Sequence, residues 1–471
     1  MTLFGETMVQ PALLDFVNDF HITYETSSWI LSAFLISGAV MTPIAGKLSD
    51  IYGKKKVLLV VMAVYCSGVL AAGLAENIAW MIAARVAMGV GFSAFPIAFG
   101  IIRGSLPESK LGIGQTVFGS TFSGGAVIGL VVGAGVIQAF GWHVAFLAVF
   151  PVAVSLTLII KWFIREPQVP NPVGNPAGGT GRPPAGGSGS SLDFKGILLL
   201  AATVVSFLTG ISLVQGSTTD PAAGGQIAAL LAVAVASLFL LAVVERRSSN
   251  PLIDFKLLSN RTMLPATLIL MVVGTCTFMV YQTISILVQS PAPLGFGGDK
   301  VATAGVLLPF MAVLLIGTIG SGFVLNRLGN VNMTAIGTSL SAVGFFGLLA
   351  FHSTDISVTA MLAVIAAGLS FAFTGGFNIV IVSSPMESTG IVLGMVLLLN
   401  LIFQSIGPAV AAAFQQTYQG TVAGDLQSYP APEAYYLIFG TAAFLSLFSV
   451  ALALGLTRRK RPVLMTQELP K

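Results

Sequence analysis

Two charged side chains fall well inside the long apolar runs of this chain, Glu6 and Arg85. A carboxyl at membrane depth can take up and release a proton. A guanidinium nearby can answer its charge. A charge inside the membrane is expensive and marks a functional position by default. The alternative for Arg85 is a helix bridge made by hydrogen bonds to carbonyls. Uncharged polar groups at the same depth are Gln115, Thr116, Tyr281, Gln282, Asn378, Asn400 and Gln404. They either line a substrate cavity or join helices; Asn400 and Gln404, four apart, share one helical face. Bond-making chemistry finds no support. His21, His143 and His352 lie at the ends of apolar runs and form no cluster with acids or nucleophiles. Cys66 and Cys276 show no metal-type spacing and read as packing thiols. No phosphate-binding glycine loop is present, which argues against ATP as the energy source.

The elements that must position these residues are membrane helices. The chain has 471 residues, of which 55% are hydrophobic and only 8% charged, with a mean hydropathy of +0.91. Soluble domains carry about 25% charged residues, so lipid must serve as the solvent here. A net charge of +4 gives no reason to expect a nucleic-acid partner. Apolar runs of membrane-spanning length, about 20 residues, fall at 1–17, 28–46, 57–75, 78–102, 112–138 and 141–164. Eight more fall at 196–215, 227–244, 263–289, 301–325, 332–351, 356–382, 388–416 and 434–456. The reading is an all-α polytopic membrane protein of fourteen spans. The first span is short and would leave Met1 in mid-membrane, so the expected start lies upstream or the form is trimmed. No basic stretch and cleavage site of a signal peptide precede it.

Charge fixes the orientation. With a cytosolic N-terminus, every Lys and Arg except Arg85 and Lys300 falls on the cytosolic side. External segments hold Asp15, Asp19, Glu25, Glu76, Asp220, Asp299, Asp355, Asp425 and Glu433. Both termini are then cytosolic and the chain sits in the cell membrane. Residues 1–164 form an N-terminal six-helix bundle. A cytosolic linker rich in Pro, Gly and Ser covers 165–195 and is expected to be a disordered tether. Residues 196–261 hold two inserted helices and a cytosolic loop, 262–456 a C-terminal six-helix bundle, and 457–471 a cytosolic tail. An internal repeat supports the division: Gly46, Asp50 and Gly53 after the second span recur as Gly322, Asn326 and Gly329 after the tenth. Parallel repeats of this kind build one large transporter class.

The stretch Gly46-Lys47-Leu48-Ser49-Asp50-Ile51-Tyr52-Gly53-Lys54-Lys55 matches the cytosolic loop pattern G-x-L-[AS]-D-x-x-G-[RK]-[RK]. Arg85, Gly89 and Gly91 fit R-x-x-x-G-x-G in the fourth span. The chain therefore resembles the major facilitator superfamily, in its fourteen-span drug:proton antiporter branch, over nearly its whole length. The resemblance implies two six-helix bundles plus two inserted helices. It implies that Gly46, Asp50, Gly53, Lys54 and Lys55 latch one access state and that Arg85 serves proton coupling. In the fifth span Gly125, Gly129 and Gly133 follow the family's packing and gating glycines, but Leu130 and Ala134 replace its proline and last glycine. In the first span Thr7, Val9, Ala12 and Leu13 fit the family pattern. Gly5 holds the aspartate position with Glu6 one residue later, a rotation of about 100° on a helix.

The resemblance implies export of amphiphilic or cationic small molecules in exchange for protons, by alternating access. It implies no cofactor beyond the proton gradient, and a functional monomer. A major facilitator specific for one metabolite, with other coupling or the opposite direction, is the alternative. A membrane enzyme would need a catalytic cluster and a sensor would need a soluble effector domain; the sequence offers neither.

Overall fold

A computed structural model describes residues 1–105, 108–164, 194–216, 221–247, 260–384, 389–422 and 427–465. Most of the 165–195 linker, residues 250–254 and Glu387 lie outside these. Among the described residues the regular structure is helical, apart from a two-stranded antiparallel hairpin, β1 (Gln419–Thr421) and β2 (Ser428–Pro430).

The chain opens with α1 (Thr2–Thr7), a 3₁₀ turn at Gln10–Ala12, and α2 (Leu13–Asp19). Pro11 stands in that turn, where its missing N–H and fixed φ interrupt an α-helix. The first expected span is thus a broken segment. Next come α3 (Tyr24–Tyr52), α4 (Lys54–Gly73), α5 (Ile78–Gly89) and α6 (Ala94–Ser105). A 3₁₀ turn at Val90–Ser93 divides α5 from α6 inside the expected fourth span. Spans five and six form one run, α7 (Glu108–Phe163), broken at Gly141, whose φ of 81° only glycine adopts freely.

The later helices are α8 (Phe194–Gly216), α9 (Pro221–Arg247), α10 (Met263–Gln289) and α11 (Lys300–Leu328). After them come α12 (Asn330–Ala350), α13 (Asp355–Ser383), α14 (Thr389–Thr417) and α15 (Pro432–Met465). Eleven of the described helical stretches are long and apolar enough to cross a membrane, and Gly124–Phe163, the longest, contains the Gly141 break.

The repeat seen in the sequence has a structural counterpart. Gly53 joins α3 to α4 at φ 95°, and Gly329 joins α11 to α12 at φ 73°. Each turns the chain sharply and caps the next helix. The helices before residue 164 pack chiefly on one another, as do those after residue 262. The two groups meet chiefly along two helix pairs, α3 with α14 and α7 with α11. Under the repeat, α3 corresponds to α11 and α7 to α14, so the two pairs are exchanged by the same pseudo-symmetry. The pair α8–α9 packs on itself through a Thr203–Ser237 hydrogen bond of 3.0 Å. Leu200, Val204 and Leu241 reach Ile36 of α3 and Met395, Leu398 and Ala409 of α14. The inserted helices therefore lie across one of the seams.

Hydrogen bonds between the two groups gather at the end carrying the α10–α11 turn. Lys300 Nζ pairs with Asp15 at 3.1 Å, and the Lys300 backbone N–H donates to Gln138 at 3.2 Å. Gln289 Nε2 donates to the Pro11 carbonyl at 2.9 Å. The Tyr24 backbone N–H donates to Gln416 at 3.1 Å, and its hydroxyl reaches the Ser428 carbonyl on the hairpin at 3.2 Å.

Candidate functional site

Arg85 and Glu6, 79 positions apart, meet in the interior of the N-terminal half. Arg85 Nη2 donates to Glu6 Oε2 at 2.6 Å, with both side chains essentially out of contact with the surface. The remaining arms of the guanidinium serve backbone carbonyls. Nε donates to Ile30 of α3 at 2.8 Å and Nη1 to Gly5 of α1 at 3.2 Å. The guanidinium carbon stands 4.4 Å from the centre of the Phe34 ring, inside the range of a cation–π contact. Glu6 is held differently: its Oε1 is buried with no hydrogen-bond partner.

Small residues bring the pieces this close. A Cβ on Gly89, one turn beyond Arg85, would collide with the Phe34 carbonyl oxygen, and one on Gly91 would stand 2.7 Å from the Tyr65 ring. The two glycines of the R-x-x-x-G-x-G pattern thus let α5 lie against α3 and the turn after it against α4. The stripe on α7 receives the Glu6 segment. A Cβ on Gly129 would stand 2.7 Å from Phe4 Cα, and one on Gly133 2.9 Å from Met8 Cα. Gly125 is looser, 4.0 Å from Phe4 N. Thr7 ties the contact by donating to the Ala126 carbonyl at 2.8 Å. This stripe brings backbones together, and with them it sets where Glu6 lies.

The loop residues are placed as a turn. Gly53 supplies the left-handed backbone, and Lys54 Nζ reaches the Gly100 carbonyl of α6 at 3.3 Å. Lys55 is half-buried. A Cβ on Gly46 would meet nothing within 4 Å, and the same holds for Gly322. Neither glycine is therefore in close contact with a neighbouring helix in this conformation. The side chains of Asp50, Asn326 and Gln115 lie outside the described residues.

Several of the remaining polar residues act between helices. Asn400 Nδ2 donates to the Leu270 carbonyl of α10 at 2.7 Å, Gln404 donates to Asn400 Oδ1, and both lean on Gly274. Asn378 bonds within its own helix, to the Thr374 carbonyl at 2.8 Å. Tyr281 donates to Met311 Sδ at 3.5 Å and packs edge-on against Phe310. Gln282 is fully buried and meets Gln415 of α14 at 3.5 Å; Gln282 Oε1, Gln415 Nε2 and the Ser285 hydroxyl have no partner.

Sequence reasoning did not single out Phe34, Tyr65 or Gln415. Tyr65 is fully buried, donates to the Met1 carbonyl at 3.0 Å and lies within electrostatic reach of both Glu6 and Arg85. The one available signal was the spacing of Ile30 and Phe34, four apart on α3, which presents both to a single neighbour.

Comparison with known proteins places the chain. The sequence profile of the Major Facilitator Superfamily matches residues 1–408. Multidrug resistance protein 3 of Bacillus subtilis is 25% identical over 380 residues, covering 80% of this chain and 69% of that protein. The tetracenomycin C resistance and export protein of Streptomyces glaucescens is 24% identical over 439 residues, covering 90% of this chain and 75% of that one. Across curated relatives the match spans between 57% and 77% of the relative's own length. Among solved structures, the human organic anion transporter MFSD10 superposes with a TM-score of 0.60 at 17% identity, over 96% of each chain. That likeness is one of fold. With a family profile along most of its length and a transporter fold throughout, this multi-pass membrane protein belongs to the Major Facilitator Superfamily.

Proposed function

We propose that the protein is a secondary active transporter that exports amphiphilic or cationic small molecules in exchange for protons. The observation that carries the coupling is the buried Glu6–Arg85 pair. A structural ion pair in so dry a place would satisfy both carboxylate oxygens, because desolvation must be offset by good geometry and full hydrogen bonding. Here one oxygen is bonded and the other is bare. A carboxylate held by a single contact is suited to exchange a proton. The resistance and export names carried by relatives at about a quarter identity support the cargo class.

In this reading the chain spans the membrane fourteen times, with both termini and the Gly46–Lys55 loop in the cytosol. The end where Asp15, Tyr24 and Gln289 join the two halves is then external, and the conformation is closed to the outside. Proton binding at Glu6 and cargo binding between the halves favour different states. Coupling needs only that each ligand bind those states unequally. Lys54, bonded to α6 at the cytosolic end, belongs to the latch that leaves or re-forms as the halves rock.

The test is transport in vesicles containing purified protein and a fluorescent lipophilic cation. Wild type is expected to move the cation against its gradient when a pH gradient is imposed, and Glu6→Gln is expected to abolish this. Undiminished pH-driven export by Glu6→Gln would remove Glu6 as the proton carrier. Cation movement by wild type that ignores the pH gradient would remove proton exchange altogether.

A further inference from the structure

The two members of the buried pair are unequally provided for, and the inequality has a direction. Glu6 has one hydrogen bond and a bare oxygen. Arg85 has three acceptors on three separate groups and, in addition, the face of Phe34. Were Glu6 to become neutral, it would surrender little. Arg85 would surrender the one countercharge it meets among the described residues and remain a fully buried cation. An unpaired buried cation is among the costliest objects a protein interior can hold. Something must keep that charge acceptable while the proton is aboard.

Phe34 is placed for this. It lies one helical turn beyond Ile30, so α3 offers a carbonyl to Nε and a ring face to the guanidinium carbon from the same side. The ring cannot swing away. Phe92 leans on it at 5.1 Å between centroids, and the glycine at position 89 holds α5 tight against the Phe34 backbone. An aromatic quadrupole attracts a cation most strongly where water is excluded. Its contribution does not depend on the charge of Glu6. The other titratable groups in reach are Tyr65 of α4 and Tyr281 of α10, both phenols that stay neutral at ordinary pH.

We propose that Phe34 is a positioning residue for proton coupling: its ring holds the Arg85 cation in place while Glu6 is protonated, so the pair opens and re-forms without stranding a charge. This rests on the reading that Glu6 carries the coupled proton. The protonated carrier is the form that returns in a net exchange cycle. Exchange of cargo for cargo, with no pH gradient, never visits it. Removing the ring should therefore slow one process and spare the other.

The experiment compares wild type, Phe34→Leu and Phe34→Tyr in the same vesicles, with Phe34→Met replacing Phe34→Leu should the latter fail to purify as a folded protein. Export driven by a pH gradient and cation counterflow without one are measured on each. A cation–π contact away from water corresponds to an effect of roughly tenfold to thirtyfold. The expected result for Phe34→Leu is about a tenfold loss of driven export with counterflow within twofold of wild type. Phe34→Tyr, which keeps the ring, retains driven export. The proposal is overturned if the leucine variant leaves both processes unchanged or lowers both together, the mark of a purely structural residue. It is also overturned if the tyrosine variant loses driven export as the leucine variant does. Wild-type export that is indifferent to the pH gradient would instead refute the coupling reading itself, and Phe34's role with it.

Discussion

Arg85 in the N-terminal half and Asn400 in the C-terminal half both donate to a carbonyl of a neighbouring helix, Ile30 and Leu270 respectively, and both bonds are short. Their surroundings differ in kind. Around Asn400 the groups are uncharged: the amide nitrogen donates to Leu270, and the amide oxygen takes a bond from Gln404. Around Arg85 the groups are charged, and a carboxylate oxygen is left bare. An uncharged, hydrogen-bonded amide pair joins helices at modest gain and can remain as it is through a transport cycle. A charged pair with a vacant acceptor is poorly stabilised in one protonation state and has a reason to change. The comparison teaches that polarity at membrane depth does not by itself mark a working site; incomplete satisfaction of a charged group does.

The largest effect expected from breaking this contrast is at Arg85. Arg85→Ala leaves Glu6 buried without its countercharge, at a cost of about 3–5 kcal/mol. Thermal denaturation in detergent should fall sharply and pH-driven export should vanish. Arg85→Lys should not restore export, because a single ammonium cannot reach three divergent acceptors and stack on a ring at once. Export by Arg85→Ala near the wild-type rate would erase the distinction between the two regions.

A smaller loss is expected from Gly129→Val, which forces side-chain atoms into the Phe4 backbone and pushes the Glu6 segment off α7. Stability should drop by about 1–3 kcal/mol, and Gly125→Ala, where the neighbour is 4.0 Å away, should be nearly silent. Equal melting shifts for the two would contradict the packing described.

Asn400→Leu tests the other side. It should cost about 0.6–2 kcal/mol of stability while leaving pH-driven export within twofold. A selective loss of driven export there, with stability intact, would show that the amide cluster works rather than joins.

The smallest effect belongs to the half-buried Asp15–Lys300 pair. Such pairs are worth about 0–1 kcal/mol, so Lys300→Ala should scarcely move the melting temperature. The pair nonetheless crosses between halves. Distances between spin labels on the two halves at this end should broaden in Lys300→Asp and narrow again when Asp15→Lys is added. No recovery in the double variant would mean the contact is incidental.

Much of the architecture was legible from residue types. Gly53 and Gly329 were matched by spacing alone, and both prove to be left-handed turns between paired helices. The break at Gly141, φ 81°, falls at the expected boundary between spans five and six, and Trp142 beside it donates to Asp19 at 2.8 Å. Lys300, the one exception in the expected charge pattern of the loops, pairs with Asp15. By hydropathy the segment 1–17 makes one span, yet Pro11 divides it, since a length criterion weighs hydropathy and not the missing N–H. Arg85 and Glu6 were each conspicuous, but nothing in their spacing said they touch. Phe34 was one apolar residue among many, because a ring facing a cation leaves no period in the chain.

The sequence by itself determined that lipid is the solvent, where the apolar runs begin and end, and which turns repeat. Those are properties of single residues transferring between water and hydrocarbon, and they need no partner. The tertiary structure alone decided that α1, α3 and α5 converge on one guanidinium, that Glu6 is held by a single oxygen, and that an aromatic face backs the charge. Those are properties of pairs and triples of groups, fixed by close contact between glycine-lined helices distant in the chain.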